Sequence, residues 1–139
     1  IYEKALDQFS QNAIARLKRE LDAAGDPLDY IRQFFRNVAK AGKKTHRKGC
    51  LFGNAVAEHS NAEILLMRKA ARHLQQLEAI FLEALLRGKK QGLLQSALPP
   101  PLLARVLLCN WNGLGITRRI YPDNESLSEL IEAQLKILG

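Results

Sequence analysis

The side chains that could take part in catalysis are few and widely spaced along this chain. Of the three histidines, only His59 stands close to another potential metal ligand, Glu63, four residues later. The pair could share one helix face, but a metal site needs more ligands than two. A solvated or helix-capping pair is the simpler interpretation, and we expect no metal. No phosphate-binding loop is indicated either, because Gly113-Leu114-Gly115 follows no strand and falls inside a predicted helix.

The two cysteines, Cys50 and Cys109, lie too far apart in the sequence to indicate a disulfide framework or a zinc knuckle. Basic residues precede Cys50 and could lower its thiol pKa, which would favour a redox-sensing role. No general base adjoins Cys50, so a small buried core residue is the preferred interpretation. We therefore expect no enzyme and no cofactor, and a reducing cytoplasm is the expected compartment.

The chain carries a net charge of +7 and has a pI near 9.7, a balance that favours anionic partners. Six basic residues fall between positions 36 and 48 without one acidic residue among them: Arg36, Lys40, Lys43, Lys44, Arg47 and Lys48. Nucleic-acid binding would place such charge on a groove-fitting helix or among exposed aromatic residues. Because most of these residues fall on a predicted loop without aromatic residues, a solvated loop is the favoured interpretation.

Length and composition indicate one folded domain. The 139 residues are 47% apolar and 25% charged, within the range of soluble globular proteins. The most apolar segment, Ala97–Asn110, is interrupted by three prolines and by Arg105. No stretch approaches the roughly 18 apolar residues that a membrane helix needs, so we expect no membrane partner.

Apolar residues recur at three- and four-residue spacing along most of the chain, which is typical of amphipathic helices. Glycine, proline and aspartate or asparagine residues divide this pattern into about six helices, with no alternation long enough for a strand. The predicted helices run from the first residues to Ala23, from Asp26-Pro27 to Val38, from Cys50 to His59, from Asn61 to Lys90, from Pro99 to Arg119 and, with Ser126 as N-cap, from Leu127 to Leu138. The sequence therefore predicts an all-α fold.

The fifth predicted helix is apolar around most of its circumference. Arg105, Asn112 and Arg119 recur every seven residues and form one thin polar stripe. One apolar face consists of Leu103, Leu107, Asn110 and Leu114, and another of Leu102, Val106, Cys109, Gly113 and Ile116. Such a helix must be buried on more than one side, and a second copy of a short chain is the simplest cover. A central helix in a monomeric bundle is the alternative.

A dimer interface is therefore predicted on the fifth and last helices. Its predicted residues are Leu103, Leu107, Asn110, Leu114, Leu127, Leu130, Ile131 and Leu135. A charge introduced at Leu107 or Leu114 should then lie unpaired in an apolar interface and weaken it.

Several motifs in a fixed order resemble one known family. The segment Gly49–Glu58 (GCLFGNAVAE) resembles the G-C-L-hydrophobic-x-N-x-x-x-E signature in the ligand-binding domain of TetR/AcrR transcriptional regulators. The G-x-x-x-G of Gly88–Gly92 resembles the end of that family's long central helix, and the W-x-G of Trp111–Gly113 its penultimate helix. Ala5-Leu6-Asp7 resembles the helix that follows the family's DNA-binding domain.

The resemblance implies an orthogonal bundle of about six helices, whose last two pair with those of a second copy as a four-helix bundle. Residues 1–139 would be the effector-binding and dimerisation domain, and the N-terminal helix-turn-helix domain is absent from this chain. No capping residue precedes the first predicted helix, which agrees with a missing upstream part. The implied function is that of a repressor that binds operator DNA through the absent domain, so this fragment alone should bind DNA weakly and without sequence preference.

The resemblance also implies a pocket for a small, mostly apolar effector in each subunit. The candidate wall residues are Tyr30, Phe34, Phe35, Val38, Phe52, Val56, His59, Met67, Ala70, Leu108 and Trp111. Adjacent Phe34 and Phe35 cannot point the same way, so one is expected in the core and the other in the cavity wall. Ordinary core packing is the alternative for each wall residue. The alternative function is a free-standing helical ligand carrier or protein-interaction module with no role at DNA.

Overall fold

The computed structural model describes residues 2–40 and 64–139, with side chains for all of them except residues 2, 3, 6 and 64–67. These residues form five α-helices and a terminal turn of 3₁₀ helix. The elements are α1 (Tyr2–Ala23), α2 (Pro27–Lys40), α3 (Ile64–Lys90), α4 (Pro100–Ile120), α5 (Asn124–Leu135) and the 3₁₀ turn (Lys136–Leu138). The described residues contain no strand, and the all-α prediction is confirmed. The predicted third helix, Cys50–His59, lies outside the described residues.

Two aspartates start helices by accepting hydrogen bonds from backbone N–H groups that have no partner within the helix. Asp26 accepts from the N–H groups of Leu28 (2.9 Å) and Asp29 (3.1 Å) and so caps α2. Asp123 accepts from the N–H groups of Glu125 and Ser126 and caps α5. The prediction that Ser126 caps the last helix is therefore wrong. Its hydroxyl instead donates to the Asp123 carboxylate (2.8 Å), and these hydrogen bonds lower the pKa of Asp123.

The long helix α3 is the centre of the fold, because α1, α2 and α4 all pack on it, whereas α5 packs on α2. α1 and α3 run in the same direction. Near the start of both helices Lys69 pairs with Asp7 (2.6 Å). At the other end the Arg87 guanidinium donates to the carbonyl oxygens of Leu21 (2.8 Å) and Ala24 (3.1 Å), which stabilises the last turn of α1.

The G-x-x-x-G sequence at the end of α3 has a structural explanation at both glycines. A Cβ atom at Gly88 would lie 2.8 Å from Cδ2 of Leu28, so α2 begins close against the α3 backbone. Gly92 has a φ of +75°, the left-handed conformation that ends many helices and that other residues rarely adopt. The N–H of Leu93 donates to the carbonyl of Gly88 (2.8 Å) and closes this end.

The core lies between α3 and the helices around it. Its largest fully buried side chains are Leu21, Leu28, Ile31, Phe35, Phe81, Leu85, Leu103, Leu107, Leu114, Ile131 and Leu138. Every described helix contributes at least one residue to this core. None of the described helices is both long and apolar enough to cross a membrane.

Candidate functional site

Four aromatic rings from three helices meet beside the core and form what we call the aromatic cluster: Phe34, Phe35, Phe81 and Trp111. The centroid of Phe34 lies 4.5 Å from that of Trp111 and 5.5 Å from that of Phe81. The centroid of Phe35 lies 5.7 Å from that of Phe81 and 5.8 Å from that of Trp111. These are the spacings of stacked and edge-to-face aromatic contacts, so the cluster joins α2, α3 and α4.

The adjacent residues Phe34 and Phe35 differ in burial. Phe35 is fully buried, as expected of a core residue, and Phe34 is only partly buried. The two rings nevertheless contact each other and the same two partners, Phe81 and Trp111. Phe34 and Trp111 are therefore the cluster residues with surface left for a ligand.

The remaining predicted wall residues fall into three groups. Val38 and Ala70 are buried in the core, and Leu108 is partly buried against it. Tyr30 faces α1, where its hydroxyl donates to the carbonyl of Leu17 (3.0 Å), and burial raises the pKa of this hydroxyl to about 12. Phe52, Val56 and His59 lie outside the described residues, as does the side chain of Met67.

Polar contacts attach the first half of α1 to α3, and the sequence analysis did not identify them. The Oγ of Ser10 and the Nδ1 of His73 share a hydrogen bond of 2.7 Å. Burial lowers the pKa of His73 to about 4, so the imidazole is neutral near pH 7. One turn earlier lies the ion pair of Asp7 and Lys69. The only feature of the sequence that could have indicated these contacts is that the polar residues are three or four positions apart on each helix. Many solvent-exposed polar residues have the same spacing, so it does not identify a contact.

The predicted dimer interface requires a correction on α4. Leu103, Leu107 and Leu114 retain at most 1% of their surface within the single chain, so a second copy cannot contact them. On the last helix Leu127, Ile131 and Leu135 are likewise buried in the chain's own core. Asn110 is partly exposed, and Leu130 is 36% exposed. This face of α4 packs into the core because its leucine side chains are large enough to fill the space against α3.

The other apolar face of α4 is the exposed one, and we call it the α4 seam. It comprises Leu102, Val106, Cys109, Gly113, Ile116 and Ile120, at alternating spacings of four and three residues. Leu102 is 50% exposed, Ile116 53% and Ile120 66%. A row of apolar residues at this spacing is the pattern that pairs helices side by side. One residue of the polar stripe beside the seam, Arg105, forms an ion pair with Glu78 of α3.

A family model described as the tetracyclin repressor-like C-terminal domain matches residues 27–134. The chain belongs to this family. The matched region of this TetR-like chain begins at the first residue of α2 and ends in the last turn of α5, so it includes the aromatic cluster and the α4 seam.

Two relatives of the TetR-like chain are known by name. It is 24% identical over 117 residues to the HTH-type transcriptional repressor DhaR of Mycobacterium sp. (strain GP1), covering 84% of this chain and 58% of that protein. It is 26% identical over 140 residues to the uncharacterized HTH-type transcriptional regulator YezE of Bacillus subtilis (strain 168), covering 99% of this chain and 72% of that protein. The chain thus spans less than two thirds of the first relative's length.

A solved structure has the same fold. The transcriptional regulator FadR from Bacillus subtilis, crystallised in complex with stearoyl-CoA, superimposes with a TM-score of 0.68. The superposition covers 98% of this TetR-like chain and 72% of the FadR chain, at 16% sequence identity. At that identity the similarity establishes a shared helical fold.

Proposed function

We propose that residues 1–139 are the effector-binding and dimerisation domain of a TetR-type transcriptional repressor. The family match over residues 27–134 is the observation that carries this proposal. Both named relatives are HTH-type regulators, and one is a repressor. DNA binding would belong to a helix-turn-helix domain outside these residues, and the protein would act in the cytoplasm. The relatives give no support to the alternative of a free-standing carrier.

The effector in this proposal is a small, mostly apolar molecule that contacts the aromatic cluster. Phe34, Leu108 and Trp111 are the partly buried apolar residues beside it, and Phe35 and Phe81 form its rigid base. Apolar surfaces with a few polar groups are typical of small-molecule sites. The FadR structure was determined in complex with stearoyl-CoA, so fatty acyl thioesters are the first class of effector to test here. Phe52, Val56, His59 and Met67 remain predictions from the sequence.

The proposed response to an effector is a movement of α1 relative to α3. Leu17 and Leu21 bury the second half of α1 in the core, and Arg87 holds its end. The first half is held to α3 by the polar contacts of Ser10 and Asp7. An effector that binds beside α3 and shifts it would therefore displace the first half of α1 more easily than the second.

We further propose that the domain forms a homodimer through the α4 seam and the exposed surface of α5. Leu102, Ile116 and Ile120 are half or more exposed, and Leu130 adds apolar surface on α5. Exposed apolar surface that follows one helix face is characteristic of protein–protein contacts. A sedimentation experiment on the unmodified chain at micromolar concentration should detect a dimer, and a monomer would contradict this part of the proposal.

The effector proposal can be tested by fluorescence because Trp111 is the only tryptophan in the chain. The emission should change saturably with stearoyl-CoA, less with a short-chain acyl-CoA and not with free CoA. The increase in melting temperature should be largest with stearoyl-CoA, smaller with a short-chain acyl-CoA and absent with free CoA. A ligand that binds only the folded state stabilises it by about 2.7 kcal/mol at a concentration of a hundred times Kd.

Two variants make the effector test specific. Phe34→Ala should weaken binding about tenfold, whereas Leu86→Ala, on an exposed position of α3 outside the aromatic cluster, should leave it unchanged. Trp111→Phe should abolish the fluorescence signal and keep most of the thermal shift. A response to free CoA equal to that of stearoyl-CoA, or no response to any apolar compound, would contradict the proposed apolar site.

A further inference from the structure

Gly113 stands in the middle of the 21-residue helix α4, where glycine is the least favourable residue after proline. A Cβ atom at this position would meet no described atom of the chain within 4 Å. Gly88 of α3 is different, because Leu28 occupies the space beside it. The described part of the chain therefore gives no packing reason for the glycine at position 113.

The position of Gly113 on the α4 seam suggests what requires it. The seam has its large side chains towards both ends, at Leu102, Ile116 and Ile120. Its middle consists of the small residues Cys109 and Gly113, which are both exposed. Large residues on either side of a small centre let a second helix cross closely at that centre, with the large side chains packing along it.

Charge favours a second copy of this chain as the crossing partner. The charged residues of α4 are all basic and those of α5 are all acidic. Of these, Arg118 is buried, and Arg105 and Glu132 form ion pairs within the chain. Arg119 of α4 and Glu125 and Glu129 of α5 are exposed and carry opposite charges. A two-fold arrangement would bring each basic α4 near an acidic α5 of the partner, which makes the surface complementary to itself.

We infer that Gly113 is the point at which the two α4 helices of a homodimer cross, close to the two-fold axis. The inference rests on the homodimer proposed above and specifies its geometry. Helices whose axes are about 9 Å apart bring facing Cα atoms to roughly 4–5 Å, a separation at which the facing residues must be small. Cys109, one turn earlier, packs against the partner helix beside the crossing point.

Substitutions at Gly113 test the crossing point. Gly113→Leu should raise the dimer Kd at least a hundredfold, and Gly113→Ala about tenfold, when measured by analytical ultracentrifugation. Both variants should fold, because the space around this position is open and both residues favour helix more than glycine does. Circular dichroism verifies the helix content. Asn112→Ala, on the neighbouring polar stripe, is the matched control and should leave Kd within about threefold.

A cross-linking experiment tests the geometry directly. In a Cys50→Ser/Cys109→Ser background, Gly113→Cys should form an intersubunit disulfide under mild oxidation, since facing Cα atoms would lie within the roughly 4.4–6.8 Å that a disulfide spans. Asn112→Cys in the same background should not. A dimer that tolerates Gly113→Leu with unchanged Kd, or that cross-links as well through position 112, would overturn the crossing point alone. A monomeric unmodified chain would instead overturn the homodimer proposal on which it rests.

Discussion

At the scale of single residues, His73 is the group with the clearest physical consequence. Its imidazole is buried between α1 and α3, where it shares a hydrogen bond with Ser10. One turn earlier on each helix, Asp7 and Lys69 pair with each other, and Arg68 and Arg72 are the other charged residues on the adjacent turns of α3. Burial lowers its pKa from 6.5 to about 4, because the charged imidazolium would lose its hydration. The folded state therefore binds fewer protons than the unfolded state between these two pH values.

We predict that His73 makes the folded state less stable in acid. Its contribution should be complete above pH 6.5 and should decline as the pH falls towards 4, below which the folded state is protonated as well. The expected loss is about 2–3 kcal/mol in the free energy of unfolding. Urea unfolding at several pH values would measure it. His73→Gln keeps hydrogen-bonding capacity without a titrating group, so its stability should fall less over this range, and equal pH dependence of the two proteins would refute the prediction.

Single residues also show how far sequence reasoning reached. The cap at Asp26 and the helix end near Ala23 were predictable, because Gly25 disfavours continuation of a helix and Pro27 is favoured at the first position of the next one. The cap of α5 was not, since Asp123 and Ser126 are both good capping residues and only the geometry selects one. Gly88 and Gly92 were recognised as a motif, but their reasons required the structure. One permits contact with Leu28, and the other adopts a positive φ.

At the scale of helices, periodicity predicted that α4 has two apolar faces but not which one faces inwards. Both faces satisfy the same three- and four-residue spacing, so the pattern itself cannot distinguish them. The core selected Leu103, Leu107 and Leu114, whose large side chains fill the volume against α3, and left Cys109 and Gly113 outside. The leucines predicted to form a dimer interface on α4 are for this reason buried within the single chain. Residue volume along each face was the signal that could have identified the exposed one.

The helix α1 is attached unevenly, and this difference predicts uneven local opening. Leu17 and Leu21 bury its second half, whereas Ser10 and Asp7 hold its first half through polar contacts. We expect Ser10→Ala combined with Asp7→Asn to increase hydrogen exchange of the amides in the first half of α1 about tenfold or more. Exchange near Leu21 should change little, and the global free energy of unfolding should fall by about 1–2 kcal/mol.

A matched variant keeps this test specific to α1–α3 contacts. Gln8→Ala removes an exposed hydrogen bond to Asn12 within α1 and makes no contact with α3 among those observed. It should leave exchange of the first half nearly unchanged. If the double variant and Gln8→Ala accelerate exchange equally, the polar contacts with α3 do not hold this half of the helix.

At the scale of the whole molecule, the sequence predicted the fold class and the family, because helix periodicity and ordered motifs each constrain the entire chain. The family match and the FadR superposition confirm both. The pocket was less predictable. Aromatic and aliphatic residues at helical spacing serve a core or a ligand equally well, and the burial of Val38 and Ala70 is compatible with both roles.

The net charge of +7 raises the question of whether this domain binds DNA by itself. We predict only weak binding without sequence preference. Arg36 and Arg105 already form ion pairs with Glu132 and Glu78, which reduces the positive charge available to phosphate groups. Any affinity should come from phosphate contacts and fall steeply between low and physiological salt in a fluorescence-anisotropy titration. Tight, sequence-selective binding at physiological salt would contradict the assignment of DNA binding to another domain.

Native mass spectrometry of the purified chain tests the central claim most directly, because one spectrum reports both assembly and effector binding. With stearoyl-CoA as the probe, we expect a species of twice the 15.6 kDa chain mass that carries one ligand per subunit. Free CoA should not be retained, and Phe34→Ala should reduce occupancy without dissociating the dimer. A 15.6 kDa species that binds neither stearoyl-CoA nor any other apolar compound would contradict the account of an effector-binding, dimerising domain.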